Sequence, residues 1–255
     1  VPVTVRDKNG KTQADKNDAK AKDGLTTDLN KVPAAKDSVT VTDPDKKPVT
    51  DFGANWTKEP DVSKPGKSTG TVEITYPDGS KETVEVPVTV RDKNGKTQAD
   101  KNDPKTPGNK VEVDDPAKLT DDEKKDVVKA VEDANKDDNG NSTLPDGTKI
   151  TVGDNGDVTV TYPDGSEDTI PGDKVVEGKT DADKTDVTVP GTKVEVGDPT
   201  KLTDGEKGQV EEAIKDANPN LPDGTKITVA DDGTATITYP DGSKDTIPGD
   251  QLVQG

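Results

Sequence analysis

Val and Ile alternate with Thr and charged residues along several short stretches. Three times the alternation is broken by the same five residues, YPDGS, at Tyr76–Ser80, Tyr162–Ser166 and Tyr239–Ser243. Proline presets the first corner of a tight turn, Asp tolerates the second, and Gly takes the corner where φ is positive. With an alternating run on each side, the pattern predicts a β-hairpin with a short Gly-containing loop. The structural residues of these turns are Pro77, Asp78 and Gly79; Pro163, Asp164 and Gly165; and Pro240, Asp241 and Gly242. A related loop, LPDGT, stands at Leu144–Thr148 and Leu221–Thr225.

The chain is therefore a repeat problem before it is a site problem. Val1–Asp18 recurs without change at Val86–Asp103. Over Lys81–Val90 the residues Val84, Val86, Val88 and Val90 share one face of a strand. Val1, Val3 and Val5 are then the apolar face of the last strand of an earlier repeat, and the chain reads as an excerpt of a tandem array. Ahead of the first hairpin lie a strand candidate at Ser38–Thr42, with Val39 and Val41 inward, and the segment DFGANW, whose Phe52 and Trp56 read as core plugs. In Thr71–Tyr76 the inward set is Val72, Ile74 and Tyr76.

After a polar connector the periodicity changes from two to 3.6. Lys110 onwards (KVEVDDPAKLTDDEKKDVVKAVEDAN) aligns with Lys193 onwards (KVEVGDPTKLTDGEKGQVEEAIKDAN). Thr120 with Glu123, and Thr203 with Glu206, form T-x-x-E capping boxes, with acids in the first turn favouring the helix dipole. Val127, Ala130, Val131 and Ala134 share a helical face, as do Val210, Ala213, Ile214 and Ala217. Each helix is followed by LPDGT, a strand, a Gly/Asp turn, a second strand, YPDGS and a short tail, DTIPGD. The segments are a remnant strand and linker at 1–17, modules at 18–91, 110–176 and 189–255, and linkers at 92–109 and 177–188.

Composition narrows the classes. Only 25% of the 255 residues are hydrophobic and 2% aromatic, so small modules with thin aliphatic cores are expected instead of one large core. The net charge of −18 falls almost wholly on the second and third modules; an acidic surface repels nucleic acid and anionic membrane. No run of apolar residues reaches the length of a membrane span within the segment. With no Cys there is no disulfide, thioester or thiol nucleophile, and with no His the usual general base is missing. No nucleophile elbow, P-loop or dinucleotide fingerprint is present, and LPDGT has Gly and Thr in the wrong order for a sortase signal. No enzyme is expected.

One loop carries candidate metal chemistry. An insertion after the second module's helix, NKDDNGNSTLPD, sets Asn135, Asp137, Asn139 and Asp146 at the first, third, fifth and twelfth positions of an EF-hand-like loop, a candidate for Ca²⁺. Asn stands where Asp is expected at the start, Asp where Glu closes the loop, and no exiting helix follows. A plain flexible insertion is the better reading, and no other cofactor is expected.

The run EPDVSKPGKSTGTVEITYPDGSKETVEVPVTV, with the earlier KVPAAKDSV, resembles the Rib domain of Gram-positive surface adhesins. Lys110–Val176 and Lys193–Val253 resemble the atypical Rib domains that sit beside Rib repeats. The resemblance implies a mainly β chain of tandem small modules: one immunoglobulin-like β-sandwich, then two β-rich modules each with one α-helix packed on a small sheet. It also implies a monomeric stalk segment of a cell-wall-anchored, extracellular surface protein, with neighbouring repeats as its partners and a distal domain to present. The alternative is direct adhesion, a module surface binding a host protein or glycan. A third class, an accessory domain of a wall enzyme, requires catalysis elsewhere in the parent protein.

Overall fold

A computed structural model describes residues 1–255. The chain forms two compact units, one of Val1–Val111 with Ala117–Val176, the other of Glu112–Pro116 with Glu177–Gly255.

The first unit opens with a one-turn helix, α1 (Gln13–Lys16), and six strands: β1 (Asp18–Ala21), β2 (Thr26–Thr27), β3 (Val39–Thr42), β4 (Gly53–Lys58), β5 (Gly66–Thr75) and β6 (Lys81–Val90). Strands β2, β6, β5 and β4 make one sheet in that order, and β1 pairs with β3 in a second. The β5–β6 hairpin keeps a continuous antiparallel register from Thr75↔Lys81 to Gly66↔Val90, so the Val faces of both strands stay inward. Val39 and Val41 from the small sheet pack with Val72, Ile74, Val86 and Val88 from the large one. The result is a small immunoglobulin-like sandwich with a thin aliphatic core.

Phe52 is buried in that core, while Trp56 is half-buried and donates its indole N–H to the Pro33 carbonyl at 2.8 Å. Gly70 makes room for it: a Cβ there would lie 2.6 Å from the Trp56 ring and 2.7 Å from the Lys58 carbonyl. The small residue thus lets the bulged strand β4 lay its one indole across β5.

Next along the chain come the one-turn helix α2 (Gln98–Lys101), β7 (Val111–Val113), α3 (Asp121–Ala134), β8 (Lys149–Val152), β9 (Val158–Thr161), β10 (Glu167–Ile170) and β11 (Val176–Gly178), all in the first unit except the ends of β7 and β11, which run into the second. Strands β10, β9 and β8 form an antiparallel sheet. Helix α3 packs on β8 and buries Val127 and Val131, the centre of the expected aliphatic face. Thr120 and Glu123 form the expected reciprocal capping box.

In the second unit the same plan recurs as the one-turn helix α4 (Asp181–Lys184), β12 (Val194–Glu195), α5 (Asp204–Ala217), β13 (Lys226–Val229), β14 (Ala235–Thr238), β15 (Lys244–Ile247) and β16 (Val253–Gln254). Val210 and Ile214 from α5 meet Ile227, Ile237, Tyr239 and Leu252 in the core. Strands β12 and β16 pair in parallel.

The return strand expected after each later YPDGS is present, β10 pairing β9 and β15 pairing β14. The period-two signal there is weak because EDTI and KDTI bury only Ile170 and Ile247. DFGANW, read only as a source of core plugs, leads into β4.

Candidate functional site

The site recurs three times and is built around YPDGS. In each turn the Gly N–H donates to the Tyr carbonyl and the Tyr N–H donates to the Ser carbonyl, all at 2.9 Å. Gly79, Gly165 and Gly242 have φ of +85°, +88° and +86°. Pro and Asp therefore occupy the corners of a turn closed by a left-handed Gly, a three-residue hairpin loop. The three Tyr rings are buried, and their hydroxyls donate to Glu82, Asp168 and Asp245 at 2.8, 2.7 and 2.6 Å. Burial first, and the accepting carboxylate second, push all three phenols well above their ordinary value.

The turn side chains are not free. Ser80 donates its N–H and hydroxyl to Asp78 Oδ1, while Asp78 Oδ2 accepts the Gln13 N–H at 2.6 Å. In return the Asp78 N–H donates to Gln13 Oε1 at 2.9 Å, and the Ala14 N–H donates to Ser80 Oγ at 3.0 Å. Helix α1 is thus seated on the turn by its first amides, which have no partner within so short a helix. Burial raises the Asp78 pKa, but the donors from Ser80 and Gln13 outweigh it, and the net shift is downward.

The arrangement repeats in the atypical modules. Asp164 Oδ2 accepts from the Gln98 N–H at 2.7 Å, the Asp164 N–H returns to Gln98 Oε1 at 2.8 Å, and the Ala99 N–H donates to Ser166 Oγ at 2.9 Å. Asp241 Oδ2 accepts from the Asp181 N–H at 2.7 Å, and Ser243 Oγ from the Ala182 N–H at 3.0 Å. Asp181 cannot copy the Gln return bond: its side chain is shorter, and it is an acid beside another acid. The donors from Ser243, then Asp181, hold the Asp241 pKa below its ordinary value.

What delivers these amides is a T-x-A-D-K pentad at Thr12–Lys16, Thr97–Lys101 and Thr180–Lys184. In each, the Thr hydroxyl accepts from the Asp N–H and the Asp carboxylate accepts from the Thr N–H, a full capping box in a single turn. A one-turn helix has no apolar periodicity, so nothing in the hydrophobic pattern marks it. Its legible signal was the T-x-x-D pattern standing at the same place before every module.

In the first unit the chain ahead of two of these pentads also meets the turn. Thr89, at the end of β6, donates its hydroxyl to the Asp164 carbonyl at 2.6 Å, and Val5 N–H donates to the Asp78 carbonyl at 2.9 Å. Gly165 sits beneath Thr89: a Cβ on it would stand 3.0 Å from Thr89 Oγ1.

In the EF-hand-like set, the side-chain oxygens of Asn135 and Asp137 accept from backbone amides. Asn135 is buried and faces the connector, its Oδ1 accepting from the Lys105 N–H at 2.7 Å and its Nδ2 donating to the Lys105 and Val131 carbonyls. Asn218 holds Thr188 in the same way. Asp137 Oδ1 accepts from the Asn139 and Asn141 N–H groups, an ordinary Asx turn around Gly140. Asp146 lies in the separate Leu144–Thr148 turn, closed from Thr148 N–H to the Pro145 carbonyl. The first ligand position is spent on the backbone, and no three acidic side chains cluster as metal ligands. The insertion is a loop, and its first Asn is a helix-end clamp.

The Rib domain matches residues 13–92, and the atypical Rib domain matches 102–179 and 185–255. C protein alpha-antigen of Streptococcus agalactiae is 38% identical over 74% of this chain, which spans 18% of that protein. A streptococcal hemagglutinin of Streptococcus gordonii is 49% identical over 22% of the chain and 2% of its own length. The chain thus spans less than a fifth of the curated relatives it matches. A solved Rib domain from Streptococcus pyogenes is 35% identical and covers 29% of this chain and 90% of its own, at a TM-score of 0.24.

Proposed function

Because this chain belongs to the Rib family, as one Rib domain followed by two atypical Rib domains, we propose that it is a spacer segment of a bacterial surface adhesin. It is not an enzyme; its relatives are surface antigens and adhesins. On this reading it works outside the cell as a monomer, its partners being neighbouring modules. Attachment to the wall, and the domain presented to the host, belong to other parts of the parent protein.

The observation that carries the reading is the seat of each connector on the turn of the module that follows. A polar linker left free would let modules swing independently. Here connector residues are held by a carboxylate, a hydroxyl and a main-chain amide, and in the first unit the end of β6 adds Thr89 to the same contact. A spacer needs its joints ordered more than it needs a pocket. The surface agrees: the large apolar side chains left exposed are Val1, Val3, Val5, Val32 and Val189, none aromatic.

A second reading, direct adhesion, has one observation in its favour. An open cleft of about 750 Å³ in the first unit is lined by Thr26, Thr89, Arg91, Asp100, Ser166 and Glu167. Its polar wall suits a hydroxylated glycan or a polar peptide loop. Presenting the full chain to host matrix proteins, mucins and a glycan panel separates the two. The spacer reading expects no saturable binding, whereas saturable binding lost in Arg91→Ala would replace it with adhesion through the cleft.

A further inference from the structure

Asn stands directly before Gly at Asn9, Asn94, Asn139 and Asn155. That dipeptide carries its own chemistry. With no Cβ to shield it, the Gly nitrogen can reach the Asn side-chain carbonyl. The N–C bond that forms closes a succinimide ring, and the side-chain nitrogen leaves with the displaced proton as ammonia. Water then opens the ring at the side-chain carbonyl to give aspartate, or at the main-chain carbonyl to give isoaspartate. One amide and one water become one carboxylate and one ammonium ion.

Each of these Gly N–H groups is engaged in a turn. Gly10, Gly95, Gly140 and Gly156 donate to the carbonyls of Asp7, Asp92, Asp137 and Gly153 at 2.9, 2.9, 3.0 and 3.0 Å. A nitrogen holding that bond cannot attack, so the ease of local opening sets the reactivity of each site. The turns differ in this respect. Asn155 is pinned: its Oδ1 accepts from the Asp157 N–H and its Nδ2 donates to Asp157 Oδ2, both at 3.1 Å. The Gly172 N–H holds Asp157 in turn at 2.7 Å, and Gly156 is buried. At Asn94 the side chain is free, but Asp92, which frames the turn, is half-buried and paired with Lys101 at 3.2 Å. The identical copy at Asn9 has Asp7 paired with Lys16 at 3.1 Å. Asp137 frames the Asn139 turn through the same two backbone amides, yet no ion pair holds it, because Lys136 pairs with Asp133. Every residue from Lys136 to Ser142 is exposed.

We propose that Asn139 is a site of spontaneous self-modification, deamidating to aspartate and isoaspartate while the other three Asn–Gly pairs are guarded by their turns. The product adds a negative charge to a module that is already acidic, and isoaspartate lengthens the main chain of the loop by one carbon. The feet of the loop contain the change, since the Thr143 N–H and hydroxyl both donate to the Asn135 carbonyl, at 2.8 and 3.0 Å. The guarding is kinetic. In the third module Asp232–Gly233 stands where the second has Asn155–Gly156, and Asp232 Oδ1 accepts from the Thr234 N–H at 2.9 Å. That turn accepts an acid, so Asn155 is held back by a closed turn and not by an aspartate the fold rejects. The inference goes beyond the spacer reading and does not depend on it.

The test incubates the full chain at physiological pH and temperature and follows each Asn by peptide mapping in a mass spectrometer, with isoaspartyl methyltransferase labelling to count isoaspartate. Asn9 and Asn94 are read together because their surroundings are identical. Asn139 should convert first, severalfold faster than the Asn9 and Asn94 pair, with Asn155 slowest. Exposed ion pairs are individually weak, so the gap to Asn94 is severalfold and not orders of magnitude. In urea the spread should collapse, because the dipeptide is the same at all four sites. Asp92→Ala, which also gives that copy its own mass, should bring Asn94 towards the rate of Asn139. Lys101→Ala, which removes only the cation, should move it the same way. Conversion of Asn139 no faster than that of Asn94 in the folded chain overturns the proposal. So does an ordering that persists in urea, or a rate at Asn94 indifferent to both variants.

Discussion

The carboxylate of Asp164 accepts a hydrogen bond from the backbone N–H of Gln98 at 2.7 Å, across 66 residues of sequence. The same Asp is 5% exposed, accepts two further donors from Ser166, and gives its own N–H to Gln98 Oε1. A buried carboxylate so surrounded is satisfied, and removing it strands its donors. Asp164→Ala should destabilise the first unit by about 2–3 kcal/mol. Urea denaturation followed by Trp56 fluorescence and by amide exchange at Gln98 and Ala99 checks this, with loss of protection at those two amides expected first.

The glycines of the turns should not be equivalent. Gly165 combines a φ of +88° with Thr89 Oγ1 only 3.0 Å from where a Cβ would stand, whereas a Cβ at Gly242 meets nothing within 4 Å. Both positions disfavour a side chain through their backbone conformation. Gly165→Val should cost on the order of 1–3 kcal/mol, and Gly242→Val less. Chemical denaturation of each full-length variant, read at module-specific amides, ranks them.

The third clamp is the incomplete one. Asp181 makes no return bond to the Asp241 amide and sets a second negative charge beside it, where Gln98 supplies a neutral acceptor. Asp181→Gln should therefore stabilise the second unit by roughly 0.5–1.5 kcal/mol, raising its melting temperature. Gln98→Asp should move the first unit in the opposite direction.

The clamps should weaken in acid. Asp78 and Asp241 have folded pKa values below their unfolded values, held there against burial by the Ser and connector donors. Their stabilisation is complete above the ordinary Asp value of about 3.9 and is lost as pH falls through the depressed folded value. Amide exchange at Gln13 and Asp181, corrected for intrinsic rate, should therefore lose protection below about pH 4. At the alkaline end the buried Tyr hydroxyls are raised, so phenolate absorbance should appear well above the ordinary value of about 10. Stability from those phenols is present below the unfolded value and lost as pH rises through the folded one.

Calcium should not single out the inserted loop. Asn135 is committed to Lys105 and Val131, and Asp137 to its own turn. Titrating Ca²⁺ should shift the melting of Asp137→Ala and of the unsubstituted chain equally. Asn135→Ala, by contrast, should lower stability with no metal present, since it removes a helix-end clamp and leaves the Lys105 amide unpaired.

Local patterns in the sequence settle everything here that depends on neighbours along the chain. The positive φ of Gly79, Gly165 and Gly242 follows from YPDGS, because only Gly closes that turn without strain. The capping boxes at Thr120 and Thr203 and the inward Val72, Ile74 and Tyr76 follow from spacing alone. The tertiary structure decided which polar residues became contacts. Thr89 lies on the outer face of β6 by period, yet is 6% exposed because the Asp164 carbonyl of the following module covers it. Asn135 stands at the first position of a calcium-like loop by spacing, yet its amide turns inward to grip the connector. Gln13 and Gln98 look like linker residues and are half of each joint. A hydrogen bond between groups some 65 residues apart leaves no period in either segment, so only the folded chain can show which Asp meets which amide.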